Sequence, residues 1–281
     1  MRDERLARLA VLIDADNASA QIADGLFEEI ATIGEASVRR IYGDFSSSRS
    51  KGWTEVLSKH AIIPHQQFAY VTGKNASDIA LVIDAMDLLH SGRFDGFCLV
   101  SSDSDFTRLA ARIREHGVDV YGFGEKKTPE SFRQACRRFV YTENLRPDAV
   151  VAAAAAAPSI ARAASANPLL QQVMDQIETD DGWVPLGLFG QRLLNRQSDF
   201  DPRTYGHKKL SDLVRECGLF DLEKTPGGML RMRMRSAPPT PKATVKPAPA
   251  PKPQAAAKPS PTAKPAAPAR APARKAAEPK T

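Results

Sequence analysis

The sequence is poor in the features that build metal-thiolate sites, disulfide frameworks and membrane spans. Its 281 residues include three cysteines, Cys98, Cys136 and Cys217, which lie far apart with no Cys-x-x-Cys spacing. They suggest neither a zinc site nor disulfides, and they fit a reducing compartment. No stretch reaches about 18 consecutive apolar residues, and the first apolar run is too short for a signal peptide. We therefore expect a soluble, cytoplasmic protein without a membrane span.

Net positive charge is confined to one segment. The formal net charge is +6, but residues 236–281 contain nine Lys or Arg residues and one Glu, so the first 235 residues have a net charge of −2. The same segment contains 13 prolines and 15 alanines, a composition that cannot bury enough apolar surface to fold. We expect a disordered basic tail there, which either binds nucleic acid nonspecifically or only aids solubility.

Hydrophobic patterning over residues 1–148 alternates between strands and helices. Short apolar runs predict strands at residues 9–13, 36–42, 62–69, 97–100, 118–123 and 139–141. Helical spacing is found between them, at residues 20–33, 52–60, 78–89, 106–116 and 129–138. The helix over residues 78–89 is apolar on almost all sides, so we expect it to be deeply packed. The alternation predicts an α/β fold with a mostly parallel sheet covered by helices on both faces.

The remaining chain divides into a linker and a second, smaller domain. Residues 149–167 are rich in alanine without an amphipathic pattern, which indicates an interdomain linker. Residues 168–235 contain three helical segments, and two short strands joined through Gly227-Gly228 follow them. Three helices and a hairpin are typical of a small winged helix-turn-helix domain of α+β class.

Three acidic motifs stand out in the first domain. Asp14 and Asp16 follow the first strand, and Asp103 and Asp105 follow the strand at residues 97–100. Ligands bind at the carboxyl ends of parallel strands, so these carboxylates converge if the two strands are neighbours. The third motif places Asp78 at the start of a helix.

Gathered carboxylates repel one another and raise each other's pKa, unless a cation balances them. Hard divalent ions do so, and the lack of histidine near the motifs favours Mg²⁺ or Mn²⁺ over zinc. Each motif also has an ordinary structural interpretation as a helix cap: Asp16 or Asn17 before the first helix, Ser102 with Asp105, and Asn75 with Asp78. It is less probable that three helix caps coincide by chance than that the three motifs together form a metal site.

The order LIDADN, KNASDIALVIDAMDLL and LVSSDSDF over about residues 8–145 resembles the NYN domain, a PIN-like nuclease group that includes LabA-like proteins. The resemblance implies a PIN-like fold and metal-dependent cleavage of RNA. It places Asp14, Asp78, Asp103 and Asp105 on the family's metal-binding acidic positions. Asp84 falls on a recurring family acid, but its spacing from Asp78 makes it secondary, as is Asp16. Ser102 stands where the family usually has glycine.

Several polar residues near these motifs are candidates for substrate binding. Lys74 precedes the Asp78 helix and could hold a phosphate, although a solvated loop lysine is an equal alternative. The loop after the second strand offers hydroxyls together with Arg49 and Lys51, which suit contact with a nucleic-acid backbone, or it is a plain surface loop. Asn17 and Ser102 complete this set.

The segment from Gly182-Trp183 through Tyr205-Gly206-His207 and Lys208-Lys209 resembles the OST-HTH, or LOTUS, domain. The resemblance implies binding of RNA or of a partner protein. Lys208, Lys209 and Arg203 could form a basic face, yet ten cationic and ten acidic residues leave residues 168–235 without net charge. A domain that docks onto a partner protein is therefore the alternative interpretation to an RNA-binding domain.

Three functions are compatible with these features. The first is an RNA-cleaving enzyme whose second domain and tail select or retain the substrate. The second is a noncatalytic RNA-binding regulator. The third is a haloacid-dehalogenase-like phosphatase, because Asp14-Ala15-Asp16 imitates its Asp-x-Asp motif, but Ala18 departs from that pattern and Asp78 would have no task.

Overall fold

A computed structural model of the chain describes residues 6–46, 51–67, 75–146, 159–179 and 181–235. The predicted tail over residues 236–281 lies outside these ranges. Among the helices of the described ranges, none is both long and apolar enough to cross a lipid bilayer.

A six-stranded parallel sheet forms the centre of the first domain, in the order β3-β2-β1-β4-β5-β6. Its strands are β1 (Arg8–Asp14), β2 (Glu35–Gly43), β3 (Ile63–Gln66), β4 (Gly96–Val100), β5 (Asp119–Gly124) and β6 (Arg138–Tyr141). The apolar run of β1 is fully buried, as expected for a central strand covered on both faces. The strand that contains Pro64 lies at an edge, where a missing N–H donor is tolerated.

Helices cover both faces of the sheet, as the alternation predicted. They are α1 (Ala23–Ala31), α2 (Lys51–Val56), α3 (Ala76–His90), α4 (Thr107–Glu115) and α5 (Glu130–Ala135). Short 3₁₀ segments at Ala20–Ile22 and Ser104–Phe106 lead into α1 and α4, and another, Thr142–Leu145, follows β6. One core lies between the sheet and α3, α4 and α5, and the other between the sheet and α1 and α2. The predicted α/β class is confirmed.

Helix α3 is less deeply packed than its composition predicted. It rests on the sheet through one face, which includes the buried side chains of Leu81, Ala85 and Leu88. Ile79 and Ile83, one turn apart on another face, are 60% and 58% exposed. The expectation of all-round burial was wrong, because a helix in the outer layer of a three-layer fold contacts the sheet on one side only.

Strands β1 and β4 are neighbours, which the convergence of the acidic motifs required. Val11 pairs with Cys98, and Ile13 pairs with Val100. The chain runs outward from β1 through β2 to β3, and then returns to β4 on the other side of β1. The β1–β4 junction is therefore the switch point at which a crevice opens beyond the carboxyl ends of the strands.

The second domain has the winged-helix composition that its sequence predicted. Its elements are α6 (Ser159–Ser165), α7 (Asn167–Met174), β7 (Val184–Pro185), α8 (Leu186–Arg196), α9 (Leu210–Glu216), β8 (Phe220–Lys224) and β9 (Leu230–Met234). The strands form an antiparallel sheet in the order β7-β9-β8. Phe189, Leu213, Phe220 and Met232 are buried in its core.

The predicted linker over residues 149–167 differs from the structure in its described part. From Ser159 onward the chain is helical, and Ala163 and Ala166 are buried in the core of the second domain. Alanine-rich sequence lacks the large apolar side chains that mark a core helix, but small side chains let this helix approach its neighbours closely. Helix α6 therefore belongs to the second domain, which begins earlier than the predicted Pro168.

The segment Ser198–Asp201 of the second domain contacts the edge strand β6 of the first. The backbone N–H of Phe139 donates to the carbonyl oxygen of Ser198 at 2.8 Å, and the Ser198 hydroxyl donates to the Arg133 carbonyl at 2.6 Å. The buried carboxylate of Asp199 accepts hydrogen bonds from Arg133 and from the Tyr141 hydroxyl. The two domains thus share a polar interface whose charged groups are largely paired.

Arg203 extends this interface. Its guanidinium pairs with Glu29 of α1 at 2.8 Å and with Asp201 at 2.6 Å, and Arg138 pairs with the same Glu29 at 2.7 Å. The expectation that Arg203 belongs to an open basic face for RNA or a partner is corrected here, because two acidic side chains already hold its charge.

Candidate active site

The first acidic motif is held at the end of β1 by hydrogen bonds from its own turn. Asp14 is 1% exposed, and one of its oxygens accepts the backbone N–H groups of Asp16 and Asn17 at 3.0 and 3.2 Å. Its other oxygen accepts the Asn17 side-chain amide at 3.0 Å and the Ser101 hydroxyl at 2.7 Å. Four donors therefore fix this carboxylate, and Asn17 is one of its supports.

Ser101 joins the first motif to the second. Its hydroxyl donates to Asp14 and accepts the backbone N–H of Asp103 at 3.0 Å. Asp103, rather than Ser102, caps the following 3₁₀ turn by accepting the Asp105 N–H at 2.9 Å. The Ser102 hydroxyl instead accepts the backbone N–H of Glu125, in the loop after β5, at 2.8 Å.

The third motif reaches the other two through the first residues of α3. The Asn75 side-chain amide donates to Asp105 at 3.3 Å, and the Ser77 hydroxyl donates to Asp16 at 3.0 Å. The expected side-chain cap by Asn75 is absent, since its side chain makes no capping hydrogen bond to α3. Asp78 follows directly in the first turn of this helix.

The carboxylates of Asp14, Asp16, Asp78, Asp103 and Asp105 form one electrostatic unit, which we call the acidic cluster. Burial raises the pKa of Asp78 from its usual value to about 6, together with the negative charges of the other four aspartates. Burial also raises the pKa of Asp14, against the lowering effect of its hydrogen-bond donors. The shift of Asp78 reports a site with excess negative charge, whereas that of Asp14 reports its burial.

The chemistry of this donor set fits a hard divalent cation. Carboxylate oxygens are the ligands that Mg²⁺ and Mn²⁺ prefer, and the Asp78 carboxylate accepts no hydrogen bond from the described residues. Asp14 is different, because its four donors use the four lone-pair sites of an ionised carboxylate. In the arrangement that the described residues adopt, no three acidic, histidine or cysteine side chains converge closely enough to hold a metal ion.

Asp84, the secondary candidate, has other partners. It accepts a hydrogen bond from the Tyr42 hydroxyl, pairs with Arg40 at 2.6 Å and lies 3.9 Å from His65. Burial raises the pKa of Asp84, but the hydrogen bonds from Tyr42 and Arg40 together with the nearby positive charge lower it by more. The pKa of Asp84 is therefore below its usual value. Asp84 therefore links α3 to β2 and β3 and does not contribute to the acidic cluster.

The predicted cationic contacts are only partly described. Arg49 and Lys74 lie outside the described residues. Lys51 is exposed at the first position of α2, and its side chain makes no hydrogen bond or ion pair within the described ranges. Lys208 and Lys209 are exposed just before α9, likewise without an ion pair to any described residue.

Sequence reasoning missed Ser101 and Ser77, the two hydroxyls that join the motifs. Ser101 directly precedes Ser102, and Ser77 directly precedes Asp78; both of those residues were candidates from the sequence. A signal was available for Ser101, because it directly follows the apolar run of β4, as Asp14 follows the apolar run of β1. For Ser77 the sequence offers no comparable signal.

Two family models match the sequence. Residues 8–144 match the model of the NYN domain, which is of the PIN-like nuclease type, and residues 164–232 match the OST-HTH/LOTUS domain. No curated protein matches the sequence. Among solved structures, the chain is similar to a crystal structure of a protein of unknown function from Vibrio parahaemolyticus, with 19% identity, a TM-score of 0.42, and coverage of 50% of this chain and 96% of that one. The chain is therefore composed of an NYN domain followed by an OST-HTH/LOTUS domain.

Proposed function

We propose that the NYN domain is a metal-dependent ribonuclease that hydrolyses phosphodiester bonds of RNA at the acidic cluster. The observation that supports this most is the connection of three distant motifs by side-chain hydrogen bonds: Asp14 through Ser101 to Asp103, and the start of α3 to both Asp16 and Asp105. A protein gains no stability from gathering five carboxylates unless a cation balances them.

In this proposal Asp14, Asp78, Asp103 and Asp105 would hold Mg²⁺ or Mn²⁺. A bound ion of this kind activates a water molecule and stabilises the leaving oxygen of a phosphodiester. The chain itself supplies the positioning, because Ser101 and Asn17 fix Asp14, and Asn75 and Ser77 fix Asp105 and Asp16.

In this proposal, cationic residues that the sequence singles out contact the substrate. Lys51, Arg49 and Lys74 would bind phosphates of the RNA backbone. Asn17 acts by supporting Asp14, and Ser102 by anchoring the loop after β5. In the second domain, the exposed Lys208 and Lys209 remain candidates for contact with RNA or with a partner protein.

A noncatalytic RNA-binding regulator is the second candidate, because all four lone-pair sites of Asp14 are occupied by protein donors. The phosphatase alternative is weaker. An aspartate nucleophile must present a free oxygen to the phosphoryl group, whereas Asp14 is buried and fully hydrogen-bonded.

The proposal is tested with purified protein and four substrates: single-stranded RNA, structured RNA, single-stranded DNA and a generic phosphomonoester. Each is incubated with Mg²⁺, Mn²⁺ or EDTA. We expect cleavage of RNA with a divalent ion, its loss in EDTA, and its loss in Asp103→Asn and Asp78→Asn. Asp87→Asn is the matched control, since Asp87 is an exposed aspartate on the same helix α3 and outside the acidic cluster.

Equal cleavage by the wild type and Asp103→Asn would indicate a contaminating nuclease and refute the proposal. RNA binding without cleavage under any metal condition would favour the regulator. Turnover of the phosphomonoester alone, with a covalent aspartyl-phosphate at Asp14, would establish the phosphatase.

A further inference from the structure

The outer face of the three-stranded sheet in the OST-HTH/LOTUS domain combines aromatic and cationic side chains. The central strand β9 buries Met232 in the core, so its neighbours Arg231 and Arg233 point outward. The pairing of Val184 with Met232 places Trp183 opposite Arg233, on the same outer face. Both guanidinium groups lie over the Trp183 ring, with their central carbons 4.5 and 4.6 Å from its centroid.

A tight turn holds Trp183 at this position. The Trp183 backbone N–H donates to the Asp181 carboxylate at 3.0 Å, and Gly182 between them has a φ of 71°. A residue with a side chain rarely adopts this left-handed conformation, which favours glycine. The ring is only partly covered, in contrast to Trp53, which is 1% exposed and donates its indole N–H to Ala18 within the first domain.

The two arginines differ in how many of their donors are used. Arg231 donates two hydrogen bonds to Glu223, at 3.1 and 2.8 Å. Arg233 is 3.6 Å from Asp221 and donates no hydrogen bond to a described residue, while its side chain is 49% exposed. Arg233 therefore presents unused N–H donors beside a partly exposed tryptophan.

Charge is unevenly distributed over this otherwise neutral domain. Residues 220–235 contain four cationic and two acidic residues, a net charge of +2, so residues 168–219 have a net charge of −2. The hairpin of β8 and β9 is therefore the part of the domain that attracts a polyanion.

We propose that Trp183, Arg231 and Arg233, which we call the Trp–Arg face, form a binding site for single-stranded RNA. A base takes the place of the Arg233 guanidinium over the Trp183 ring, and the displaced Arg233 donates to a neighbouring phosphate. Aromatic and arginine side chains bind unpaired bases in this way without reading their sequence. The inference rests on the proposed function only in taking RNA as the polymer that the protein handles.

The same side chains also fit a purely structural role and an acidic peptide ligand. Cross-strand pairs of Arg231 with Glu223 and Arg233 with Asp221 stabilise the hairpin alone, and this role predicts no ligand. An acidic peptide would pair with the two arginines. The partly uncovered indole ring favours RNA, since stacking on a ring is a contact that bases make and acidic side chains do not.

The test measures binding of a fluorescently labelled single-stranded oligonucleotide of mixed RNA sequence to the full chain in EDTA, where metal-dependent cleavage cannot interfere. Trp183→Leu and the double variant Arg231→Gln/Arg233→Gln are compared with the control variant Arg192→Gln/Arg215→Gln, which removes two positive charges from exposed positions of α8 and α9. We expect Trp183→Leu and Arg231→Gln/Arg233→Gln to weaken binding about tenfold or more, and the control variant to weaken it much less. Circular dichroism melting verifies that each variant is folded.

The chain's two tryptophans give an independent readout. RNA should quench the Trp183 component of the fluorescence, and the emission that remains in Trp183→Leu, from the buried Trp53, should not respond. Equal affinities of the wild type and both face variants would overturn the inference, as would an equal loss of affinity in the control variant. Binding of poly-glutamate but not of RNA at this face would also overturn it.

These outcomes are separable from failure of the proposed ribonuclease. Loss of RNA binding in the face variants without any metal-dependent cleavage by the wild type would retain the inference and refute the enzyme. Cleavage that depends on Asp103, together with unchanged RNA binding by the face variants, would retain the enzyme and refute the inference.

Discussion

The hydroxyl of Ser101 donates to Asp14 at 2.7 Å across the junction of β4 and β1. The same oxygen accepts the backbone N–H of Asp103. One buried atom thus sets the positions of two members of the acidic cluster, each of which follows a different strand.

Replacing Ser101 with alanine should destabilise the protein and reduce cleavage. The change removes one of the two donors to an oxygen of the buried Asp14 carboxylate and leaves the Asp103 N–H without its hydroxyl acceptor, which costs about 1–3 kcal/mol of unfolding free energy. Residues that orient metal ligands typically affect activity about 10- to 100-fold. Urea unfolding and RNA cleavage measure the two effects.

Ser104→Ala is the control for this prediction, since Ser104 is exposed and its side chain makes no hydrogen bond to a described residue. Ser104→Ala should change neither the free energy of unfolding nor the rate of RNA cleavage. If Ser101→Ala were as stable and as active as the wild type, Ser101 would not position the acidic cluster.

In the absence of divalent ions, Asp78→Asn should stabilise the protein at neutral pH. The folded-state pKa of Asp78 is raised to about 6, so the folded state binds more protons than the unfolded state between about pH 4 and pH 6. The contribution of this group to stability is therefore unfavourable above pH 6 and vanishes below about pH 4. Because the side chain is partly exposed, we expect a gain on the order of 1 kcal/mol, well below full conversion of the pKa shift.

Thermal melts in EDTA at pH 4 and pH 8 measure this effect, with Asp87→Asn as the control. The stabilisation by Asp78→Asn should be present at pH 8 and absent at pH 4. Saturating Mg²⁺ should raise the melting temperature of the wild type more than that of the variant. A lower melting temperature of Asp78→Asn in EDTA at pH 8 would contradict the repulsion inferred for the acidic cluster.

Arg203→Ala should lower stability without lowering RNA affinity. It removes a guanidinium that pairs with the largely buried carboxylates of Glu29 and Asp201, a loss that costs about 3 kcal/mol when a charge is left uncompensated. Arg215→Ala, which breaks only an exposed pair with Asp212, should cost less than about 0.5 kcal/mol. Reduced RNA affinity with unchanged stability would restore Arg203 to the RNA-binding surface.

Deleting residues 236–281 should weaken retention of RNA at low salt far more than at high salt. The segment has a net charge of +8, and each phosphate contact that it makes releases counterions on binding. Titrations at several salt concentrations would give a shallower dependence of affinity on salt for the truncated protein. An unchanged slope would assign the tail a role other than RNA contact.

Much of the first domain follows from its hydrophobic pattern. The apolar run of β1 and the apolar spacing of α1 and α4 specify strands and helices before any contact is known, and a parallel sheet follows from their alternation. The meeting of Asp14 with Asp103 was also predictable, on the condition that β1 and β4 are adjacent. Local pattern does not determine strand order, so that condition needed the structure.

Other features depend on contacts between distant segments. Asn75 has the spacing of a helix cap, but its amide donates to Asp105, 30 residues away in the chain. Arg203 resembles a surface cation until the position of Glu29 is known. Ala163 lies in a segment whose composition is that of a linker, because burial of small side chains leaves little trace in a hydrophobic pattern.

The bond between Phe139 and Ser198 bears on how the nuclease domain should be prepared for study. It covers the outer side of β6, a terminal strand of the sheet. An excised fragment ending near residue 146 would leave that strand's amides and carbonyls open to pair with a second molecule, and open strand edges promote self-association. A fragment extended through Arg235 keeps the edge shielded and is the better choice for crystallisation.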